Sequence, residues 1–104
     1  MPETLTTLKH ARDLIADPGR WTTGDLARNQ AWEYVRPRSK LACQWCAEGA
    51  VVAAAPDYRT AMAAIDALRA EIGGQELYVF NDSHPHAEVV GLFEKAVARL
   101  EVGQ

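Results

Sequence analysis

The chain has 104 residues, of which 48% are hydrophobic and 24% are charged, and its formal net charge at pH 7 is −3. This length suits one domain, residues 1–104, which can fold without a stapling metal or disulfide, and the composition is not that of a disordered chain. The negative net charge argues against nonspecific nucleic-acid binding, which needs a basic face.

The first predicted element is an amphipathic helix over residues 4–17. Residues recur there at helical spacing, and the predicted face comprises Leu5, Leu8, Arg12 and Ile15, with Ala11 and Leu14 beside them. Pro18-Gly19 ends the helix, because proline cannot continue the helical hydrogen-bond pattern. Trp21 follows at once, and we expect it to fold back over the helix end.

Residues 22–40 form the least regular part of the sequence. Thr23 or Asp25 is expected to cap a short helix that contains residues 26–27. Residues 32–35 alternate in character and include two aromatic residues, which favours a short strand.

A second helix is predicted over residues 40–55, with Ser39 as its N-cap. Its apolar residues are too dense for a narrow stripe, which favours a central and deeply buried helix. Glu48 is the one carboxylate in this segment, and a buried carboxylate needs a partner. We therefore expect Glu48 to reach the surface or to pair with Arg12 or Arg28.

A third helix is predicted over residues 58–72, capped by Asp57 and ended by Gly73-Gly74. Its predicted inner face comprises Tyr58, Ala61, Met62, Ile65, Leu68 and Ile72. Residues 76–80 are β-like, and we expect them to pair with residues 32–35 as a minor hairpin or to form an extended connection.

The last predicted helix runs over residues 85–101. Asn81-Asp82-Ser83 supplies side chains that are favoured as caps just before a helix, and an acid–base pair of Asp82 with His84 is the catalytic alternative. The predicted fold is mostly α: a compact four-helix single domain with, at most, the minor two-stranded hairpin described above.

The distribution of apolar residues and cysteines predicts a cytoplasmic protein with reduced thiols. The N-terminal sequence MPETLTTLKHARD lacks the basic and apolar regions of a signal peptide. No run approaches the roughly 18–20 apolar residues that a membrane helix needs. Two cysteines do not make the disulfide framework of a small secreted domain.

Several short motifs, taken in order, resemble a family of small bacterial and phage proteins known as a domain of unknown function. The motifs are Trp21, the segment WCAEGA over residues 45–50, Phe80-Asn81-Asp82, Glu88-Val89 and Ala96. This chain departs from the family at Phe80, where tryptophan is usual, and at Cys43, which the family lacks. The resemblance implies no activity, but it implies that Cys46, Gly49 and Asn81-Asp82 form a structural unit.

The cysteine pair of this chain, Cys43 and Cys46, permits more than one interpretation. Cysteine is among the most buried residue types, which favours two core side chains and no bound metal. The C-x-x-C spacing is also typical of redox and metal motifs. The metal alternative is a zinc site completed by His84 and His86, which otherwise form an exposed turn before a helix.

The segment from residue 28 to residue 40 combines positive charge with aromatic side chains, as protein interfaces do. Three tryptophans exceed the needs of a small core, and we expect Trp32 to be the exposed one. The candidate partner-binding residues are Arg28, Trp32, Tyr34, Arg36, Arg38 and Lys40.

The predicted function is that of a small non-enzymatic binding or adaptor protein whose partner is another protein. A phage-associated family suits a modulator of a host protein, which is an argument by analogy. The alternative is a metal-binding or thiol-active protein that uses Cys43, Cys46, His84 and His86. A homo-oligomer formed through an alanine-rich helix face is a further expectation.

Overall fold

A computed structural model describes residues 2–103, and the expected domain ends, Met1 and Gln104, lie outside it. Within these residues the chain forms five α-helices, a 3₁₀ turn over Pro18–Arg20 and two short strands. The helices are α1 (Pro2–Ile15), α2 (Ala47–Ala54), α3 (Tyr58–Ala70), α4 (Leu77–Ser83) and α5 (His86–Val102), and the strands are β1 (Ala27–Arg28) and β2 (Gln44–Trp45). The mostly α class is confirmed, whereas the predicted count of four helices is one too low.

The core lies around α1, which packs against α2, α3 and α5. The long helices α1, α3 and α5 each contribute apolar residues to the core at helical spacing. This spacing is why the sequence predicted all three. The fully buried large side chains include Leu8, Ile15, Leu68, Val89 and Phe93. No helix of residues 2–103 is long and apolar enough to cross a membrane.

Helix α3 begins at Tyr58 as its sequence predicts, but it ends at Ala70 rather than at residue 72, and its inner face is narrower than predicted. Asp57 Oδ1 accepts a hydrogen bond from Thr60 N at 2.8 Å, which caps the helix. Gly73 and Gly74 adopt φ values of 68° and 86°, which are accessible mainly to glycine. Tyr58 is 79% exposed and Met62 is also exposed, so the prediction that both face the core is wrong.

The second predicted helix is wrong over its first half. Only Ala47–Ala54 is helical, whereas Gln44 and Trp45 pair with Arg28 and Ala27 in an antiparallel ladder. Ser39 does not cap α2, because its hydroxyl accepts from Leu41 N in a turn. The backbone of residues 43–46 finds its hydrogen-bond partners in β1 and Leu26, which removes the need for a helix there.

Two further predictions about local structure are corrected. Residues 76–80 are not a strand, since Leu77–Ser83 forms α4 and buries Leu77 and Asn81 four positions apart on one helical face. A hairpin with residues 32–35 is therefore absent, and Tyr34 bridges Arg28 instead. The short helix expected near residues 26–27 is extended, because β1 occupies that position.

Candidate functional site

Asn81 connects three segments of the chain through the hydrogen bonds of its side chain. Its Oδ1 accepts hydrogen bonds from Trp21 Nε1 at 2.8 Å and from Ala47 N at 3.0 Å. Its Nδ2 donates to Thr22 O at 3.1 Å and to Asp82 Oδ1 at 3.0 Å. The fully buried carboxamide thus uses both acceptor and both donor positions. The predicted capping role before α5 is wrong, because Asn81 lies within α4 and its side chain caps α2.

The N-terminus of α2 packs directly on the backbone of Leu26. Cys46 Sγ accepts a hydrogen bond from Gly49 N at 3.3 Å, and a Cβ at Gly49 would lie 1.8 Å from Leu26 O. Only glycine fits at so short a separation. Asn81 caps the same helix end, and Asp82 Oδ1 accepts from Gly24 N at 3.2 Å. The structural unit implied by the resemblance is therefore present.

The two thiols are not placed to form a disulfide with each other. Cys46 is 3% exposed, and burial raises the pKa of its thiol to about 11, to which the negative charges of Glu48 and Asp82 add. Cys43 is half-buried and its Sγ donates to Arg28 O at 3.7 Å. The segment between them is extended, so their Cα atoms are about 10 Å apart, beyond the reach of about 7 Å for a disulfide.

The histidines of the zinc alternative bind the ends of helices instead. His84 stacks on Phe80 with ring centroids 3.8 Å apart and its Nδ1 donates to Phe80 O at 2.9 Å. His86 Nε2 donates to Ile15 O at 2.6 Å, which links α5 to the end of α1. Within residues 2–103 no three His, Cys, Asp or Glu side chains are placed to hold a metal ion. The predicted set of Cys43, Cys46, His84 and His86 is thus not assembled.

The contact loop, residues 28–40, presents Trp32 at the surface. Trp32 is 56% exposed although its φ of 68° is unusual for a bulky residue. The guanidinium of Arg28 lies 5.0 Å from the centroid of the Trp32 ring and donates to Trp32 O at 3.0 Å. Asn29 Oδ1 accepts from the backbone N–H groups of Ala31 and Glu33 at 2.9 and 3.0 Å. These bonds hold the tip of the loop in one conformation.

Two of the predicted contact residues also bind other groups of the chain and so stabilise the loop. Arg28 pairs with Asp25 at 2.9 Å and donates to Thr22 Oγ1, and its side chain is 17% exposed. Arg38 donates to Val52 O and Ala55 O, where a cation is favourable at the C-terminus of α2. Of the predicted set, Trp32, Tyr34, Arg36 and Lys40 remain exposed without such a role in the loop.

A cleft opens beside the contact loop, and sequence reasoning did not find it. It encloses about 270 Å³ and is lined by Gly24, Asp25, Leu26, Tyr34, Cys46, Glu48, Tyr78 and Asp82. We name it the tyrosine cleft, because the exposed side chains of Tyr34 and Tyr78 belong to its lining. Its residues come from four separate parts of the chain, so no local motif could indicate it.

Glu48 is the least stabilised carboxylate of the tyrosine cleft. Burial is the largest cause that raises its pKa above the ordinary value, and the charge of Glu76 raises it further. Arg69 opposes this shift from a distance, but it pairs with Glu76 at 3.3 Å rather than with Glu48. Of the two expectations for Glu48, a pair with Arg12 or Arg28 is wrong, since those arginines contact Asp13 and Asp25. Glu48 is half-buried and lines the cleft instead.

These features define a small, mostly helical protein with a rigid aromatic loop beside an acidic cleft. The chain belongs to a family of unknown function, DUF6197, whose model matches residues 1–99. Comparison with curated proteins gave no match, and comparison with solved structures gave none either.

Proposed function

We propose that this chain is a non-enzymatic binding protein that docks another protein through the contact loop. The observation that carries the proposal is Trp32, which is exposed at the tip of a rigid loop in a left-handed backbone conformation. Such a conformation costs about 1–3 kcal/mol in a residue other than glycine and is concentrated at functional sites. An exposed tryptophan held in this way supports a role in recognition rather than in packing.

The chemistry of the loop supports the same role. Tryptophan, tyrosine and arginine dominate the binding energy of protein interfaces. Trp32 and Tyr34 are 56% and 54% exposed, and Leu41 beyond the loop is exposed as well. Arg36 and Lys40 add positive charge at the rim, where charge governs partner choice and association rate.

The rigidity of the loop favours tight binding. A flexible loop loses conformational entropy on binding, about 0.5–1.5 kcal/mol for each immobilised side chain with many rotamers. Here Arg28 and Asn29 already order the backbone around Trp32. Pro37 is buried, and its carbonyl accepts from Trp45 Nε1 at 3.0 Å, which anchors the middle of the loop.

The test is quantitative affinity capture from cells of the source organism with three purified baits. The baits are the native chain, the double variant Trp32→Ala with Arg36→Ala, and a control with Tyr58→Ala and Arg59→Ala. The control likewise removes one exposed aromatic residue and one arginine, here from the start of α3. We expect a protein that the native chain and the control retain and that the loop variant loses.

Circular dichroism and thermal unfolding of the three baits establish that each is folded before capture. Recovery of the same proteins by all three baits contradicts the proposal. So does the loss of a protein from the loop variant and the control alike, because that result does not depend on Trp32. For a phage-associated family we expect the captured partner to be a protein of the host, and the identity of that partner tests this expectation.

A further inference from the structure

The tyrosine cleft adjoins the contact loop through a shared residue. Tyr34 is part of the loop and also lines the cleft, as does Tyr78 from α4. Both phenol rings are more than half exposed, at 54% and 56%. A partner that covers Trp32 and Tyr34 therefore lies against part of the cleft lining, from where it can extend a side chain into the cleft.

The charge of the cleft selects the kind of group. Three carboxylates line it, and Arg28 neutralises that of Asp25. Neither Glu48 nor Asp82 forms an ion pair with any side chain in the described part of the chain. Asp82 accepts hydrogen bonds from Gly24 N and Asn81 Nδ2, but these are neutral donors. The cleft thus has two carboxylates that lack a cation.

The partial burial of Glu48 adds to this imbalance. A carboxylate removed from water is destabilised unless a cation or hydrogen-bond donors replace the water. The raised pKa of Glu48 has burial as its first cause and the neighbouring charge of Glu76 as its second. A cation in the cleft would relieve both effects at once.

We propose that the tyrosine cleft receives an arginine side chain of the partner protein, between Tyr34 and Tyr78 and against Glu48 and Asp82. This inference rests on the proposed function, because the arginine belongs to the protein that docks on the contact loop. A planar guanidinium stacks on aromatic rings and donates to carboxylates through several N–H groups at once. Lysine offers one compact, strongly hydrated charge and suits the flat tyrosine rings less well.

The test uses purified protein and no partner. The probes are the capped tripeptide acetyl-Gly-Arg-Gly-amide, its lysine counterpart and its uncharged citrulline counterpart, titrated at constant ionic strength. Chemical shifts of the backbone amides of Gly24, Leu26 and Glu48 report occupancy of the cleft. We expect saturable shifts with the arginine peptide, with a Kd on the order of 1–10 mM, since one side chain supplies all of the affinity.

Glu48→Gln provides the decisive variant, because it keeps the shape of the side chain and removes its charge. It is expected to weaken the arginine peptide about five- to tenfold, as one charge-assisted hydrogen bond is lost. Glu94→Gln, at an exposed position on α5, is the matched control and leaves the Kd unchanged. The lysine peptide is expected to bind more weakly, and the citrulline peptide to give no saturable shift.

Three results would overturn the inference: no saturable shift with the arginine peptide, equal shifts with citrulline, or an unchanged Kd in Glu48→Gln. Equal affinity for the lysine peptide refutes the assignment of arginine. Because no partner is present, failure here leaves the capture experiment intact. Failure of the capture experiment, in turn, does not change the peptide titration.

Discussion

Replacement of Gly49 by alanine tests the close approach of α2 to the backbone of Leu26. The added Cβ would lie 1.8 Å from Leu26 O and 2.7 Å from Leu26 C. Both are backbone atoms, so no flexible side chain can move aside. To reach van der Waals contact, the N-terminus of α2 must retreat from Leu26 by roughly 1.5 Å. The hydrogen bond from Cys46 N to Leu26 O, now 3.1 Å long, would then break.

The size of the effect follows from these two changes. Overpacking of a rigid site costs about 1–3 kcal/mol, and a lost buried hydrogen bond costs about 1 kcal/mol more. The better helix propensity of alanine offsets up to about 1 kcal/mol of this loss. We therefore expect Gly49→Ala to lower the free energy of unfolding by about 2–3 kcal/mol, a large share of the roughly 5–15 kcal/mol of a typical domain.

Urea unfolding followed by far-ultraviolet circular dichroism measures this difference, and Gly91→Ala is the matched control. Gly91 lies within α5, and a Cβ there would meet nothing within 4 Å. The same substitution at Gly91 should therefore raise stability by about 0.5–1 kcal/mol through helix propensity alone. If Gly49→Ala raises the free energy of unfolding as Gly91→Ala does, α2 does not pack on the backbone of Leu26 and the prediction is wrong.

Three further predictions concern the buried polar groups. Asn81→Leu leaves the Trp21 indole N–H and the first N–H of α2 without a hydrogen-bond acceptor. Unfolding experiments should therefore show that the free energy of unfolding falls by about 3–5 kcal/mol. A fall below about 1 kcal/mol would contradict these hydrogen bonds. Burial raises the pKa of the Cys46 thiol to about 11, against an ordinary 9.0, so Ellman's reagent at pH 8 should react with the half-buried Cys43 in the native protein and with Cys46 only after denaturation. Because the pKa of Cys46 is raised, the free energy of unfolding should also fall as the pH rises from 9 through 11. Glu48→Gln should raise the free energy of unfolding at pH 7, because the raised pKa of Glu48 means that its charged form is unfavourable in the folded state. This gain should vanish as the pH falls below the ordinary pKa of 4.5, where the native carboxylate is neutral in both states. A gain that does not depend on pH would show that the charge is not its cause.

The long helices were predictable because each buries a stripe of its own residues. In α5 the inner positions, among them Val89, Phe93 and Val97, recur at the helical period, and this spacing does not depend on what packs against it. The cap at Asp57 was predictable for the same reason, since its partner, Thr60 N, is three residues away.

The candidate site was predictable only in part. The exposure of Trp32 was predicted because three tryptophans exceed the needs of a small core, and this prediction is confirmed. Arg28 and Arg38 were predicted to contact a partner because the sequence shows their charge and not what they bind within the chain. Arg28 binds the Trp32 carbonyl and Asp25, and Arg38 binds the end of α2. The tyrosine cleft was missed because its lining comes from residues that lie up to 58 positions apart, such as Gly24 and Asp82.

By itself the amino-acid sequence determined the mostly helical class, the positions of α1, α3 and α5, and the burial of Cys46. These follow from composition and from spacing within one segment. Only the tertiary structure decided that residues 43–46 are extended, that residues 77–83 are helical and that Asn81 caps α2. In each of these cases the backbone or the side chain is satisfied by a partner distant in sequence, and a contact of that kind leaves no local periodicity to recognise.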